Sequence, residues 1–212
     1  MAEPSDTELL RRAAAGDPAG WELLLARYRD RLRRMVALRL DPRLRGRVDP
    51  SDVIQEACLE AFTRLADYLS RRTMPFFLWL RYLTGQKLMI LHRRHLQAEC
   101  RDAGREVTLS HVGLPPTSSA ALAAQLPGRE PSPSEAAIRA EMKRRLREAL
   151  ARMDPLDREI LSLRHFEQLN NRETAESLGI GESAASKRYV RALSRLRDSL
   201  AGSSGDPAAP PI

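Results

Sequence analysis

Residues 171–197 read NRETAESLGIGESAASKRYVRALSRLR, and two helical patterns meet there at a glycine turn. Ala175 is a small residue at a point where two helices would approach closely, and Gly179 ends the first helix. Glycine ends helices readily because it adopts backbone angles that other residues avoid. After the turn, apolar residues recur at helical spacing and predict a buried face: Ala185, Tyr189, Ala192, Leu193 and Leu196. The stretch therefore predicts a helix-turn-helix.

The second helix of this motif has a basic face, since no Asp or Glu lies between Ser183 and Arg197. In a helix-turn-helix, the N-terminal half of the second helix enters the major groove, where Arg, Lys and short hydroxyls reach bases and phosphates. The residues predicted to face DNA are Ser183, Ala184, Ser186, Lys187, Arg188 and Arg191. The alternative interpretation is an αα-hairpin with a solvated basic face.

The composition also favours a polyanionic partner. The chain has 212 residues and a formal net charge of +7, and a second acid-free segment runs from Tyr68 to Ala98. Its two cysteines, Cys58 and Cys100, do not make a disulfide framework, which favours a reducing cytoplasm. No signal peptide is visible, and no apolar run approaches the roughly 20 residues of a membrane span. We therefore expect a cytoplasmic protein without membrane insertion.

The pattern along the chain predicts an all-α protein with two small helical domains on a tether. Strand signals are absent, because β-branched residues are few and do not alternate. Residues 102–134 are rich in Pro, Ser, Ala and Gly, a composition that predicts a flexible linker without a core. The predicted parts are a first domain at 1–101, this linker, a helix-turn-helix domain at 135–200 and a disordered tail at 201–212.

Capping residues and prolines predict where the helices begin. In the first domain the predicted helices are Asp6 to Ala14 with Asp6 as cap, Pro18 to Leu40, Ser51 to Tyr68, and Phe76 to Leu96. In the second domain they are Glu135 to Met153, Pro155 to Leu169, Arg172 to Leu178, and Glu182 to Leu200.

The helix that starts at Ser51 carries an acidic ridge in a chain that is basic overall. Its apolar stripe predicts core contacts for Ile54, Ala57, Cys58, Ala61 and Leu65. The opposite side carries residues at i, i+3, i+4 and i+7, which we call the acidic ridge: Asp52, Gln55, Glu56 and Leu59. An isolated helix with such a face is usually just solvated, so the ridge needs further context.

That context is a set of ordered motifs. DVIQEACLEAF, FFLWL, LHRRH, a linker and the helix-turn-helix together resemble a bacterial sigma-70 family sigma factor of the extracytoplasmic-function (ECF) type. The resemblance implies a protein that binds core RNA polymerase and directs promoter recognition, DNA melting and transcription initiation. It also implies that the C-terminal helix-turn-helix reads the −35 element. The runner-up is a stand-alone helix-turn-helix transcriptional regulator, which would not need the acidic ridge.

The resemblance further implies partners for each surface. The acidic ridge would dock on the clamp helices of the largest polymerase subunit, where carboxylates and an amide can accept charge-assisted hydrogen bonds. The flap of the second-largest subunit is a further implied partner. Many members of the family are held inactive by an anti-sigma factor, which makes such a protein a candidate partner.

A −10 reader is implied for the loop and helix after the ridge, where a melted strand would be held and one base flipped into a pocket. The residues assigned to it are Ser70, Arg71, Arg72 and Thr73 in the loop, and Arg81, Gln86, Lys87, Arg93 and Arg94 on the helix. Two positions depart from the family pattern. Gln86 stands where Asn is usual, and Ser186 stands where Lys is common, so promoter preference is open.

Aromatic residues in the same region divide into two groups. Helical spacing predicts that Phe76, Trp79, Leu80 and Leu83 belong to the core. Phe77 and Tyr82 lie off that stripe and are left as candidates for base stacking.

Other chemistry finds little support. His92, His95 and Cys100 have no second ligand pair at zinc spacing, since only His111 and His165 remain. No phosphate-binding loop or nucleophile elbow is present. We therefore expect no metal, no cofactor and no enzymatic activity.

Overall fold

The computed structural model describes residues 4–44, 46–97, 114–115, 117–125 and 133–202. Within these ranges the chain forms helices and no β-strand, which confirms the all-α prediction. The chain divides into two compact units, Met1–Pro115 and Pro116–Ile212. Of the predicted tail at 201–212, residues 201 and 202 are helical instead, and the rest lies outside the described residues, as do Cys100 and His111.

The described residues of the first unit form five α-helices, most of which begin where the sequence predicts. They are α1 (Asp6–Ala14), α2 (Pro18–Arg39), α3 (Pro50–Thr63), α4 (Leu65–Arg71) and α5 (Phe76–Gln97). Asp17 and Asp49 cap α2 and α3, each followed by a proline in the first turn. The predicted cap of α1 is wrong by one residue, because Ser5 rather than Asp6 accepts the backbone N–H of Glu8.

The single helix predicted from Ser51 to Tyr68 is two helices. α3 ends at Thr63, and α4 begins at Leu65 after a break at Arg64. The Thr63 hydroxyl donates a hydrogen bond to the Glu60 carbonyl at 2.8 Å. A hydroxyl that bonds back to the preceding turn competes with the helical ladder and bends the chain there.

Helix α5 is the centre of the first unit and is buried on more than one side. Phe76, Trp79, Leu80 and Leu83 are buried, as predicted. Phe77 is buried as well, which corrects the suggestion that it could stack on bases. Its ring lies under the guanidinium of Arg31, with 3.6 Å between Cζ and the ring centroid. The first half of α5 is therefore enclosed by α2 and α3 rather than lying on the surface.

The described residues of the second unit also form five α-helices. They are α6 (Ser119–Ala124), α7 (Pro133–Arg152), α8 (Pro155–Leu161), α9 (Asn171–Leu178) and α10 (Glu182–Gly202). The helix predicted from Pro155 to Leu169 changes form along its length. After α8 it continues as a π-helical turn, Ser162–Phe166, and Gln168 then adopts a positive φ of 57°.

Helix α6 corrects the prediction of a linker without a core. Ser118 caps it, and Ala121, Leu122 and Ala123 are buried where α6 packs against α7. The Thr117 hydroxyl donates to the buried Glu159 carboxylate at 2.6 Å. An apolar side and one polar anchor are thus enough to order a segment whose composition is typical of a tether.

The helix-turn-helix has the predicted layout. A capping box at Asn170 and Glu173 starts α9, and Gly179 ends it with a positive φ of 64°. Ala175 and Ala185 are buried where α9 and α10 approach.

The buried face of α10 is narrower than predicted. Ala185 and Ala192 are fully buried, but Tyr189 and Leu196 are half-buried and Leu193 is exposed. The physical reason is angular, because Leu193 lies about 100° around the helix from Ala192. Helix α10 therefore packs most closely against the rest of the unit along its small residues, Ala185 and Ala192.

Candidate protein and DNA interfaces

The acidic ridge lies on the solvent side of α3. Asp52, Gln55 and Glu56 are exposed, and Leu59 is 69% exposed. On the other side of α3, the predicted core residues are buried, except that Cys58 is half-buried: Ile54, Ala57, Ala61 and, at the start of α4, Leu65. An apolar side chain this exposed among carboxylates is suited to contact with another protein.

An apolar groove beside the ridge was missed by sequence reasoning. Phe62 is 54% exposed, and its ring packs edge-on against Trp21 at a centroid distance of 5.4 Å. The groove has a volume of about 520 Å³, and its lining includes Trp21, Leu25, Gln55, Leu59 and Phe62. The available signal was spacing, because Phe62 follows Leu59 by three residues and extends the exposed side by one turn.

Cys58 also lines this groove. Burial raises the pKa of its thiol to about 11, so the thiol stays protonated at neutral pH. A protonated thiol is a poor nucleophile and a poor metal ligand. Cys58 therefore acts as a small apolar residue in the wall between α2 and α3.

The segment predicted as the first part of the −10 reader is exposed. Ser70 and Arg71 belong to the last turn of α4 rather than to a loop, and Arg72 follows with a positive φ of 36°. The Tyr68 hydroxyl donates to the Met74 carbonyl at 3.0 Å and closes the turn around Thr73. Arg71, Arg72 and Thr73 thus face solvent, on a backbone that the buried Tyr68 holds in place.

Arg81 is not part of any exposed surface. It is only 3% exposed, so the prediction that it faces DNA is wrong. Arg81 follows Phe77 by one helical turn, and Thr84 and Leu88 continue the same buried row. Because α5 buries this second row as well as its aromatic stripe, a basic residue in its first half is enclosed.

The exposure of the polar side chains increases toward the C-terminal end of α5. The Gln86 amide donates to the Tyr82 hydroxyl at 2.6 Å, and Tyr82 is exposed. Lys87 is half-buried, with its ammonium 2.8 Å from the Glu60 carboxylate. Arg93 and Arg94 are exposed near the end of the helix. The exposed basic charge of α5 is therefore concentrated in its C-terminal turns.

The outer face of α10 carries five of the six residues predicted to face DNA. The exposed residues are Ser183, Ala184, Ser186, Lys187 and Arg191. Arg188 differs, because its guanidinium lies against Asp157 and Asp154 of the α8 end. Sequence reasoning missed Asp157, which is 31 residues away in the chain.

His92 and His165 make structural contacts. His92 Nε2 accepts the backbone N–H of Asp41 at 3.3 Å, and burial lowers the pKa of the ring. His165 Nε2 lies 2.8 Å from the Tyr189 hydroxyl. Among the described residues, no group of three His, Cys, Asp or Glu side chains could hold a metal ion. No helix in the described part of the chain is long and apolar enough to cross a bilayer.

Comparison with known proteins shows the family of this chain. A family model described as "Sigma-70, region 4" matches residues 149–198. The "ECF RNA polymerase sigma factor SigD" of Mycobacterium tuberculosis is 30% identical over 192 residues, which cover 91% of this chain and 82% of SigD. The chain belongs to the ECF sigma-70 family. It is an RNA polymerase sigma factor, and sigma factors as a class are DNA-binding regulators of transcription rather than enzymes.

A further relative matches this chain over most of its length. The "RNA polymerase sigma factor NccH" of Alcaligenes xylosoxydans xylosoxydans is 28% identical over 197 residues, which cover 92% of this chain and 95% of NccH. The fold is shared with CnrH in the "Structure of CnrH in complex with the cytosolic domain of CnrY". That similarity has a TM-score of 0.55 and 22% identity, and it covers 94% of this chain and 99% of CnrH.

Proposed function

We propose that this sigma factor divides its work between two helical domains. The domain at 1–101 binds core RNA polymerase and reads the melted −10 element, and the domain at 135–200 reads the duplex −35 element. The observation that carries the proposal is the exposed acidic ridge with its apolar groove, in a chain of net charge +7 that also presents exposed basic residues at the α5 end and on the outer face of α10. An acidic face repels DNA phosphates, and the exposed apolar side chains beside it are suited to a protein partner.

The ridge binds the clamp helices of the largest polymerase subunit. Asp52, Gln55 and Glu56 accept hydrogen bonds from basic side chains there, and Leu59 supplies an apolar contact. Charge-assisted hydrogen bonds give such an interface its specificity, while a desolvated apolar centre gives much of its affinity. Phe62 and Trp21 extend the apolar centre into the groove.

The −10 surface is a smaller set than the sequence predicts. It comprises the exposed residues of the α4 end and of the α5 end, with Gln86 and Tyr82 between them: Ser70, Arg71, Arg72, Thr73, Arg93 and Arg94. Arginines hold the phosphates of the separated strand, and the Gln86 amide can bond a base edge. Lys87 supports this surface through its ion pair with Glu60 rather than as a free cation.

The −35 surface is the outer face of α10. Ser183, Ala184, Ser186, Lys187 and Arg191 face the major groove. The flap of the second-largest subunit holds this domain on the polymerase. Two weak readers tethered on one enzyme raise each other's effective concentration, so the free chain binds promoter DNA weakly and the holoenzyme binds it strongly.

The ridge also makes the protein open to regulation. CnrH, whose fold this chain shares, has been solved in complex with the cytosolic domain of CnrY. An anti-sigma factor that covered the ridge or its groove would compete with polymerase. We keep such a protein as a candidate partner for this chain.

One experiment tests the main proposal. Core RNA polymerase is supplied with the wild-type chain or with Glu56→Lys, and the transcripts made from a genomic DNA library are sequenced from their 5′ ends. The wild type gives a set of starts with shared upstream elements, and Glu56→Lys loses them. Asp67→Lys is the matched control, because Asp67 is an exposed carboxylate on α4, outside the ridge. The absence of polymerase-dependent transcripts with the wild type would refute the proposal.

A further inference from the structure

A buried carboxylate of α8 holds the helix that carries the −35 surface. Asp157 is 2% exposed, and each of its oxygens accepts from a different arginine of α10. Arg188 Nε donates to Oδ1 at 2.8 Å, and Arg195 Nη1 donates to Oδ2 at 2.5 Å. These two contacts span 31 and 38 residues of the chain, so they are tertiary contacts.

Arg188 is further engaged by the cap of α8. Asp154 Oδ1 accepts the backbone N–H groups of Leu156 and Asp157 at 2.9 and 3.2 Å. The same oxygen accepts from Arg188 Nη2 at 2.9 Å. The guanidinium therefore bridges two carboxylates, one of which also fixes the start of α8.

The spacing of the two arginines allows the contact with Asp157 to fix the orientation of α10. Arg188 and Arg195 are seven residues apart, so they lie on one side of the helix about two turns from each other. Two anchors on one side fix both the axis of a helix and its rotation about that axis. Lys187 lies about 100° around the helix from Arg188 and is exposed. The anchors thus set the angle at which the outer face is presented.

Electrostatics keep these groups together. Removing one partner of a buried ion pair leaves an uncompensated charge, which is strongly unfavourable. Charge-assisted hydrogen bonds from arginine to carboxylate are also stronger than neutral ones. Arg188 uses Nε and Nη2 on these carboxylates, and Arg195 uses Nη1 on Asp157, so turning these donors to a DNA phosphate would leave a buried carboxylate without its partners.

We propose that Asp157 is the positioning residue of the −35 reader, and that Arg188 and Arg195 act through Asp157 rather than on DNA. The inference rests on the proposed role of α10 at the −35 element. It removes Arg188 from the set of DNA contacts and adds a specificity determinant that never touches the promoter.

Salt dependence distinguishes an anchoring arginine from one that binds phosphate. Each neutralised phosphate contributes about 0.9 to the slope of log affinity against log salt concentration. Holoenzyme binding to a promoter taken from the genomic library is measured for Arg188→Gln and for its neighbour Lys187→Gln. Lys187→Gln lowers the slope by about 0.9, and Arg188→Gln leaves the slope unchanged. Arg195→Gln behaves like Arg188→Gln.

Discrimination at the −35 element tests Asp157 directly. Transcription by holoenzyme is compared on the chosen promoter and on a derivative with a scrambled −35 element. Asp157→Asn lowers the ratio of transcription from the intact promoter to transcription from the scrambled one about tenfold. This is the effect expected from the loss of one base contact. Asp198→Asn is the matched control, because it removes an exposed carboxylate of α10 whose partners, Arg197 and Ser194, lie on the same helix. A purely structural role would lower the melting temperature and both transcription levels without changing the ratio.

The outcomes separate the two proposals. Equal losses of slope for Arg188→Gln and Lys187→Gln would overturn the anchoring role. If Lys187→Gln and Arg191→Gln both leave slope and discrimination unchanged, the −35 assignment itself fails. If Asp157→Asn does not fold, Arg188→Gln and Arg195→Gln carry the test, since Arg195 is mostly exposed and each variant leaves the other arginine on Asp157.

Discussion

The ammonium of Lys87 lies 2.8 Å from Oε2 of Glu60, and this ion pair joins α5 to α3. Glu60 also accepts from Arg64 Nη1 at 2.8 Å. The hydrogen bond from Lys87 is the main cause that holds the pKa of Glu60 below its usual range. The helix proposed for −10 reading is thus tied to the helix proposed for polymerase binding by a pair in which both side chains are largely covered.

This pair should be measurable in a double-mutant cycle. Lys87→Met and Glu60→Gln each lower the free energy of unfolding, with a coupling on the order of 1 kcal/mol. Because the folded pKa of Glu60 is lowered, the contribution is present at neutral pH and is lost as pH falls through that folded pKa. Urea unfolding at several pH values checks both the coupling and its sign. Zero coupling at neutral pH would contradict the prediction.

Leu59 should matter for partner binding and little for folding. Leu59→Ser changes the free energy of unfolding by no more than about 0.5 kcal/mol, because the side chain is exposed. It weakens binding of core RNA polymerase about tenfold or more, as loss of an apolar contact at an interface centre does. Leu23→Ser is the matched control, since Leu23 is also exposed on α2 but does not line the groove. Equal polymerase affinities for the two variants would count against the ridge.

Substitution of Arg93 should affect DNA binding alone, and substitution of Arg81 should affect stability. Arg93→Gln lowers the salt slope of holoenzyme–promoter binding by about 0.9 with an unchanged melting temperature. Arg81→Gln lowers the free energy of unfolding by about 1–3 kcal/mol, because it removes a buried charged group from its contacts. Filter binding at several salt concentrations and thermal melting give the two readouts. A slope loss for Arg81→Gln in a fully folded protein would show that burial does not exclude it from DNA.

His92 should make the first unit acid-sensitive. Its folded pKa lies below 6.5, because burial disfavours the charged ring. The unfolded state therefore binds more protons between that folded pKa and about 6.5, so stability falls as pH decreases through this window. His92→Gln loses this part of the pH dependence. The contributions of His165 and of the carboxylates are the same in both proteins, so they cancel when the variant is compared with wild type. Identical pH profiles of unfolding for the two proteins would exclude the contribution of His92.

Helix α6 should be part of the second unit in solution. Leu122→Ala lowers the free energy of unfolding by about 2–4 kcal/mol, because Leu122 is fully buried. Thr117→Val lowers it by about 1–3 kcal/mol by removing a partner of the buried Glu159 carboxylate. Gln125→Ala is the exposed control. Rapid amide hydrogen exchange across 119–124 in the wild type would show that the segment is a free tether after all.

Local signals predicted most of the helices. Proline after aspartate marks the starts of α2 and α3, and Gly179 marks the end of α9, because these residues act through their own backbone geometry. The break at Arg64 and the ordering of α6 were not predictable in the same way. Both depend on contacts with other parts of the fold, or on a competing hydrogen bond, that periodicity does not encode.

The candidate surfaces show the same division. Spacing alone indicated that Asp52, Gln55, Glu56 and Leu59 share one side of a helix opposite an apolar stripe. It could not show that Phe62 and Trp21 would meet beside them, because that contact joins α2 to α3.

The chain's order of residues was sufficient for the helical class and for the positions of basic and acidic helix faces, because these follow from short-range periodicity and composition. Its ordered motifs were sufficient for the resemblance to the family. Packing determined which charges are available to a partner. Arg81 and Arg93 are both basic residues of α5, but the enclosed first half of that helix covers one and its exposed end presents the other. Arg188 and Lys187 are adjacent, yet a carboxylate 31 residues away from Arg188 engages one of them and leaves the other facing solvent. Such differences arise from contacts between distant segments, and only the folded chain brings those segments together.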